Sequence, residues 1–293
     1  MKNALLAALL IGLSTIGALW WWHDRTSPPA PIDNSIRPVT AHEVGAAACA
    51  ACHAAEQESW QSSQHARAMA EAGDRSVLGD FSGARFTHAG ITSTFFRRNG
   101  GFYVNTDGPD GKMADFEIGY TFGVEPLQQY LVKFPGGRMQ ALGIAWDSRP
   151  KKAGGQHWFH LYPDQKLKAG DPLHWTGIDQ NWNFQCADCH STNLRKNYDP
   201  QSRTYATTWS EINVSCEACH GPGSNHLLWA RKLGDWRQFD VGHGLGVALD
   251  ERKGVTWSLL RVTANSVPST PRTAQREIEV CARCHSRRGQ FSY

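Results

Sequence analysis

Cys49-Ala50-Ala51-Cys52-His53 is the stretch on which the reading of this chain turns. It returns as Cys186-Ala187-Asp188-Cys189-His190, Cys216-Glu217-Ala218-Cys219-His220 and Cys281-Ala282-Arg283-Cys284-His285, so four Cys-x-x-Cys-His pentapeptides hold all eight cysteines of the chain. On a helical turn, residues three and four apart share a face, and two thiols and an imidazole then project together. This spacing is the attachment signature of c-type haem, in which the thiols bond the edge of the macrocycle and the imidazole meets the iron. Cysteine pairs of the same spacing also build tetrathiolate zinc sites, disulfides of exported proteins and thioredoxin-like redox centres. None of those needs a histidine behind every pair, and histidine supplies only 13 of 293 residues. The sequence therefore implies four covalently bound haem c groups. Cys49, Cys52, Cys186, Cys189, Cys216, Cys219, Cys281 and Cys284 would be the attachment residues, and His53, His190, His220 and His285 the iron ligands.

At 293 residues, 41% hydrophobic and with 12 Trp and 12 Phe, the chain can bury a substantial core. The formal charge of +3 carries no nucleic-acid signature, because haem propionates would reverse it and many of the 30 Lys and Arg would serve to neutralise them. Ala4 to Trp22 is an apolar run long enough to span a bilayer, ending in Trp20-Trp21-Trp22 as suits a membrane interface. A cleaved signal peptide is the alternative. Either places the body outside the cytoplasm: the expectation is a periplasmic protein anchored to the inner membrane by residues 4–22.

Five segments follow. Residues 1–25 read as anchor or signal, and 26–40 as a Pro-rich linker carrying Pro28, Pro29, Pro31 and Pro38. Residues 41–80 form a first haem segment with a helix over Glu56 to Ala70, 81–175 a β-rich insertion, and 176–293 haem segments two to four. In the insertion, Thr92 to Arg97, Phe102 to Thr106, Phe116 to Phe122, Gln129 to Phe134 and Arg138 to Ile144 read as strands of an antiparallel meander. Asn99-Gly100-Gly101, Pro109-Asp110-Gly111 and Pro135-Gly136-Gly137 supply its turns. The Trp-rich stretch from Trp146 to Trp182 reads as irregular, Ser224 to Lys232 as a helix after Gly221-Pro222-Gly223, and Thr273 to Cys281 as a helix feeding the fourth motif. The fold class expected is α+β: a mostly helical and irregular body with an inserted antiparallel β segment and an N-terminal membrane helix. The chain stops at Tyr293, eight residues past His285, which reads as a truncated chain or a partner surface.

An iron with two axial imidazoles is saturated and suits electron transfer, whereas an open position permits ligand binding or catalysis. Nine histidines remain beyond the four motifs. His65, in Trp60-x-x-Ser63-x-His65, is the first candidate for a second ligand, His226, after Gly221-Pro222-Gly223, the next, and His174 the third. His42, His88, His157, His160 and His243 rank below them. Met69, Met113 and Met139 read as core fillers. Trp182, Trp209 and Trp229 either stack on porphyrin or pack the core.

Cys49 to His65, together with Cys216-Glu-Ala-Cys219-His220-Gly-Pro-Gly223-x-x-His226, resembles the cytochrome c-554 type of multihaem cytochromes. The stretch from Gly119-Tyr-Thr-Phe-Gly-Val-Glu-Pro-Leu-Gln-Gln-Tyr130 through Leu173-His-Trp175 to Trp182-Asn183 is similar to a subgroup of larger cytochromes with tetratricopeptide repeats after the haem domain. The resemblance implies periplasmic electron transfer, with His53, His190, His220 and His285 as proximal and His65 and His226 as distal ligands. The chain departs from the subgroup in ending before the next haem site and the repeats. The function expected is a membrane-tethered tetrahaem carrier between redox partner proteins or a quinol-linked donor and an acceptor, with no catalytic residue. The alternative is a multihaem oxidoreductase acting on a small nitrogen or sulfur compound at one five-coordinate haem.

Overall fold

The computed structural model describes residues 40–260, 262–271 and 274–286. The chain divides into two compact units, Met1–Thr40 and Ala41–Tyr293. The run at 4–22 and the linker up to residue 39 lie outside the described residues. Among the described residues, no helix is long and apolar enough to cross a membrane.

Strands dominate the regular structure of the second unit, which overturns the mostly helical and irregular body expected from sequence. Nine strands make one antiparallel sheet: β1 (Met69–Glu71), β2 (Ala84–His88), β3 (Ile91–Arg98), β4 (Gly101–Asp107), β5 (Met113–Phe122), β6 (Leu127–Lys133), β7 (Met139–Ala141), β8 (Ile144–Asp147) and β9 (His157–His160). The order is β2-β3-β4-β5-β6-β8-β9, with β1 on β5 and β7 on β6. Two causes separate expectation from outcome. The Trp-rich stretch expected to be irregular supplies β8 and β9, paired so that Trp146 faces Trp158 across the strands. The helix expected over 56–70 stops at Gln61, where serine hydroxyls compete for the backbone: Ser62 Oγ donates to Ser59 O at 2.8 Å and Ser63 Oγ accepts from Ala66 N at 3.2 Å. The chain then extends, and Met69 pairs with Phe122.

The sheet curls into a nearly closed barrel. Asn99 and Gly100, at φ 51° and 82°, make the two-residue turn whose twist suits the β3–β4 hairpin. Inward-facing positions alternate along the strands, so Phe95, Val104, Ile118, Tyr130, Val132, Leu142, Trp146 and Trp158 fill the interior with Phe81, Phe102 and Trp175. Phe95 stacks on Trp158 at 3.6 Å, and Phe81 stands edge-on to Phe95, Phe102, Tyr130 and Trp158. A register shift between Ile118 and Tyr120 re-aims the end of β5. Ile118 thus faces the barrel interior, while Tyr120 and Phe122 face a second core of Met69, Leu131, Met139, Ala141, Trp182, Ala187 and Leu194. This second core joins the barrel to the second cysteine motif, through Cys186 and Ala187.

The barrel seam is closed by rings: His88 of β2 stacks on His160 of β9 at 4.0 Å and 12°. Burial, and then the neighbouring His88, hold the His160 imidazole below its ordinary value of 6.5. A histidine with a depressed folded pKa binds fewer protons folded than unfolded. Its stabilisation is complete above about pH 6.5 and is lost as pH falls through the lower folded value. The unfolding temperature should therefore fall between about pH 7 and pH 5, and His160→Gln should flatten that slope. Equal slopes in wild type and variant would remove the seam as the source of acid lability.

The remaining described elements are short. Besides five 3-10 turns they are α1 (Ala46–Ala50), α2 (Ala54–Gln61), α3 (Trp182–Gln185), α4 (Ala187–His190), α5 (Cys216–His220), α6 (Ser224–Arg231), α7 (Arg276–His285) and the hairpins β10–β11 (Tyr198–Asp199, Thr204–Tyr205) and β12–β13 (Trp257–Leu260, Asn265–Pro268).

Candidate functional site

Each cysteine motif rides on or beside one short helix: Cys49 on α1, with Cys52 and His53 in the turn that follows, and the others on or entering α4, α5 and α7. Burial, then the Cys216 thiol, then the carboxylates of Glu217 and Glu211 push the Cys49 thiol up to about 11. Burial, then Cys281 and Cys216, raise Cys219. A hydrogen bond with Cys189, followed by burial, raises Cys284 far above the usual thiol range. These proximities put the motifs side by side in the spatial order first, third, fourth, second, which is not their order in sequence.

Glu217, the residue after the third motif's first cysteine, holds the first two of these neighbours together. Its carboxylate is buried and accepts from the backbone N–H groups of Val44 and Gly45 at 2.8 Å each and of Gly223 at 2.7 Å. Gly223 must lack a side chain, since a Cβ there would stand 2.9 Å from Val44 Cγ2 and 3.1 Å from Glu217 Oε1. The His65 segment is tied to the approach to the same motif. Trp60 Nε1 donates to Val214 O at 2.9 Å, Val214 N to His65 O at 3.2 Å, and Asn213 Nδ2 to Ala66 O at 2.8 Å. Thr192 bridges the second and third motifs, its hydroxyl donating to Asn213 O at 2.7 Å and accepting from Ser215 N at 2.9 Å. On α7, Arg252 Nε reaches Glu277 Oε2 at 2.6 Å.

Two pairs of imidazoles face one another across these joints. The ring centres of His53 and His226 are 6.1 Å apart at an interplanar angle of 32°, and those of His65 and His285 are also 6.1 Å apart, at 69°. Two imidazoles on opposite sides of one metal, each bonded at about 2 Å, have ring centres roughly 6 Å apart. Among the described residues, no group of three or more His, Cys, Asp or Glu converges as a metal cage. Paired imidazoles without further protein donors fit an iron whose remaining ligands come from a macrocycle. The Nδ1 atoms of three of the histidines are committed: His226 donates to His243 O at 2.8 Å, His220 to Val247 O at 2.8 Å and His190 to Ala68 O at 3.4 Å. Each is left with Nε2 to bind a metal.

The other histidines lie elsewhere. His174 is buried beside β4, with Nε2 at 3.0 Å from Asp107 Oδ2 and Nδ1 at 2.8 Å from Thr176 Oγ1. Both ring nitrogens are thus taken, and the geometry gives His174 a place in the barrel's hydrogen bonding and none among the paired imidazoles. Burial alone would raise the Asp107 carboxyl, but the hydrogen bond and charge of His174 hold it below the usual range. His88 and His160 close the seam. His42 is exposed, its backbone N–H donating to Ser224 Oγ at 2.9 Å. Met69 and Met139 are buried in the second core and Met113 is exposed. Trp182 is fully buried in the second core with Trp209 edge-on to it at 6.1 Å. The sequence reading missed Glu217. The signal was a carboxylate inside a motif whose other variable positions are alanine, aspartate and arginine.

The family described as Cytochrome c554 and c-prime matches residues 48–79 and 156–221, which include the first three cysteine motifs and His65. That match and the four cysteine motifs support a multihaem c-type cytochrome, a class that holds haem c covalently. No curated protein matches the chain. Two solved structures are similar to it: the outer cell wall cytochrome OcwA, at 17% identity and a TM-score of 0.42, covering 72% of this chain and 36% of that one, and the undecahaem cytochrome from the S-layer of Carboxydothermus ferrireducens, at 20% and 0.39, covering 64% of this chain and 22% of that one. The chain spans well under half the length of either.

Proposed function

We propose that this chain is a periplasmic tetrahaem electron carrier in which the four Cys-x-x-Cys-His motifs each hold one haem c, and in which two irons sit between paired imidazoles, His53 with His226 and His285 with His65. The observation that carries the reading is the recurrence of one ring separation, 6.1 Å, at two independent histidine pairs, each of which joins a motif histidine to one outside the motifs. Bound haem iron supplies a reversible one-electron couple. The chain's own part is to fix the ligands. The cysteines anchor the macrocycle edge, Glu217 fastens the first motif to the third, and Trp60 and Asn213 hold the His65 segment toward the fourth. An iron held by two of these imidazoles would have no place for outside ligands, which is what a carrier needs and a catalyst does not. The neighbourhood of the motifs, first to third to fourth to second, supports a continuous path between a redox donor, protein or quinol-linked, and an acceptor. The location rests on the apolar run at 4–22 as the export and tethering segment.

The test is spectroscopic. Purified holoprotein should give four haems per chain by pyridine haemochrome. His65→Ala and His226→Ala should each convert one haem from low to high spin and let its reduced form bind carbon monoxide. If neither variant changes the low-spin signals, the pairing is wrong. A wild-type haem that already binds carbon monoxide would move the oxidoreductase reading ahead.

A further inference from the structure

We infer that Trp229 is a positioning residue for the sixth ligand of one haem, acting through His226. The inference rests on the reading of His226 as partner of His53. Helix α6 carries His226 and Trp229 three residues apart, hence on one face. The chain returns over that face at residues 240–244. His226 Nδ1 donates to the main-chain carbonyl of His243 at 2.8 Å, a bond that fixes Nε2 as the ligating atom and raises the basicity of the ring. What holds that carbonyl in place is a stack of three rings: His243 lies on Trp229 at 4.1 Å and 26°, and Trp229 lies against His226 at 5.6 Å and 25°. The indole N–H donates to Asp240 Oδ1 at 3.1 Å, tying the return segment at its start.

Downstream the return segment is fastened to the third motif, Gly246 N and Val247 N donating to His220 O at 3.0 and 3.3 Å, whereas over residues 240–243 it rests on Trp229. His243 is exposed, holds a left-handed backbone at φ 54° and is followed by Gly244, where a Cβ would fall 2.6 Å from the Asn225 carbonyl carbon. A segment in that conformation and that close to the helix requires a surface to rest on, and Trp229 is the surface. Its effect on the iron passes through the His243 carbonyl and the orientation of the His226 ring.

The experiment is a redox titration, with low-spin electron paramagnetic resonance, of holoprotein carrying Trp229→Ala or Trp229→Phe, with His226→Ala as reference. Loss of the indole frees the return segment and weakens the hydrogen bond. Trp229→Ala should then move one haem's midpoint potential upward and split or broaden one low-spin signal. Trp229→Phe, which keeps the stacking surface, should restore most of the wild-type signal. Unchanged potentials and signals in Trp229→Ala, with or without a lower unfolding temperature, would show a merely structural residue and overturn the inference. Should Trp229→Ala fail to fold, His243→Gly, which keeps the carbonyl and removes the ring from the stack, must show the same signal change for the inference to stand. If His226→Ala itself leaves every low-spin signal intact, the ligand reading fails. If it converts one haem while the Trp229 variants do nothing, only the positioning role fails.

Discussion

Glu217→Ala should be among the most damaging single substitutions among the cysteine motifs, although Glu217 is none of the proposed attachment residues or iron ligands. Glu217 is 6% exposed, and its carboxylate receives three backbone N–H groups, from Val44, Gly45 and Gly223, at 2.7 to 2.8 Å. Hydrogen bonds to a charged acceptor contribute about 1.5–3 kcal/mol each, and their non-additivity brings the expected loss to roughly 4 kcal/mol. For a domain of this size that corresponds to a drop in unfolding temperature of roughly 10 °C. Alanine leaves the buried Gly223 donor and the half-buried Val44 and Gly45 donors unpaired, so the loss does not relax away. Val44 and Gly45 immediately precede α1, and Gly223 immediately precedes α6 with His226, so the same change loosens both members of the His53–His226 pair. The matured variant should therefore show the lower unfolding temperature together with partial conversion of one haem to high spin. Glu217→Gln keeps one acceptor oxygen and turns a donor toward the remaining N–H groups, so it should fall between wild type and alanine. A Glu217→Ala protein that melts within about 2 °C of wild type would show that the staple contributes little.

How much of this was legible beforehand depends on the range of the interaction. The cysteine motifs were legible because their chemistry is local: five residues carry the whole signal. Strands β3 to β6 were legible for a related reason, since alternation and the Asn99-Gly100 turn act between neighbours in sequence. The helix over 224–232 followed from its Gly-Pro-Gly start. What escaped was the balance of the fold. The aromatic stretch from Trp146 to Trp158 carries glycines and a proline that read as interruptions, and it becomes strand because Trp146 and Trp158 meet across a pair and complete the barrel interior. No local preference encodes that. His174 escaped in the same way: its partner Asp107 is 67 residues away, so a histidine between apolar neighbours looked like a free ligand. The permutation of motif order in space was invisible as well, because the Glu217 contacts cross more than 170 residues.

Trp182→Ala should cost about 3–5 kcal/mol, the range for removing a large aromatic side chain from a packed core that cannot collapse around the gap. Trp182 is fully buried, and its neighbours belong to different parts of the fold: Phe122 and Leu131 to the outer face of β5 and β6, Met139 and Ala141 to β7, and Ala187 to the helix of the second motif. The backbone there is pinned independently of the indole. Asn181 Oδ1 accepts from Phe184 N at 3.1 Å, and Asn183 Oδ1 accepts from Met139 N at 2.7 Å. The local path of the chain should survive the substitution, and the cavity should open between barrel and motif. His190 meets this core directly, with Phe122 edge-on to its ring at 5.5 Å. The spectral consequence should therefore be confined to one haem, with the His53–His226 and His65–His285 signals unchanged. Variable-temperature spectra would separate that outcome from general unfolding: a low-temperature change in one haem band followed by a cooperative melt at reduced temperature fits a joint between barrel and second motif, whereas a simultaneous change in all bands would mean that the barrel supports the whole cluster of motifs as one unit.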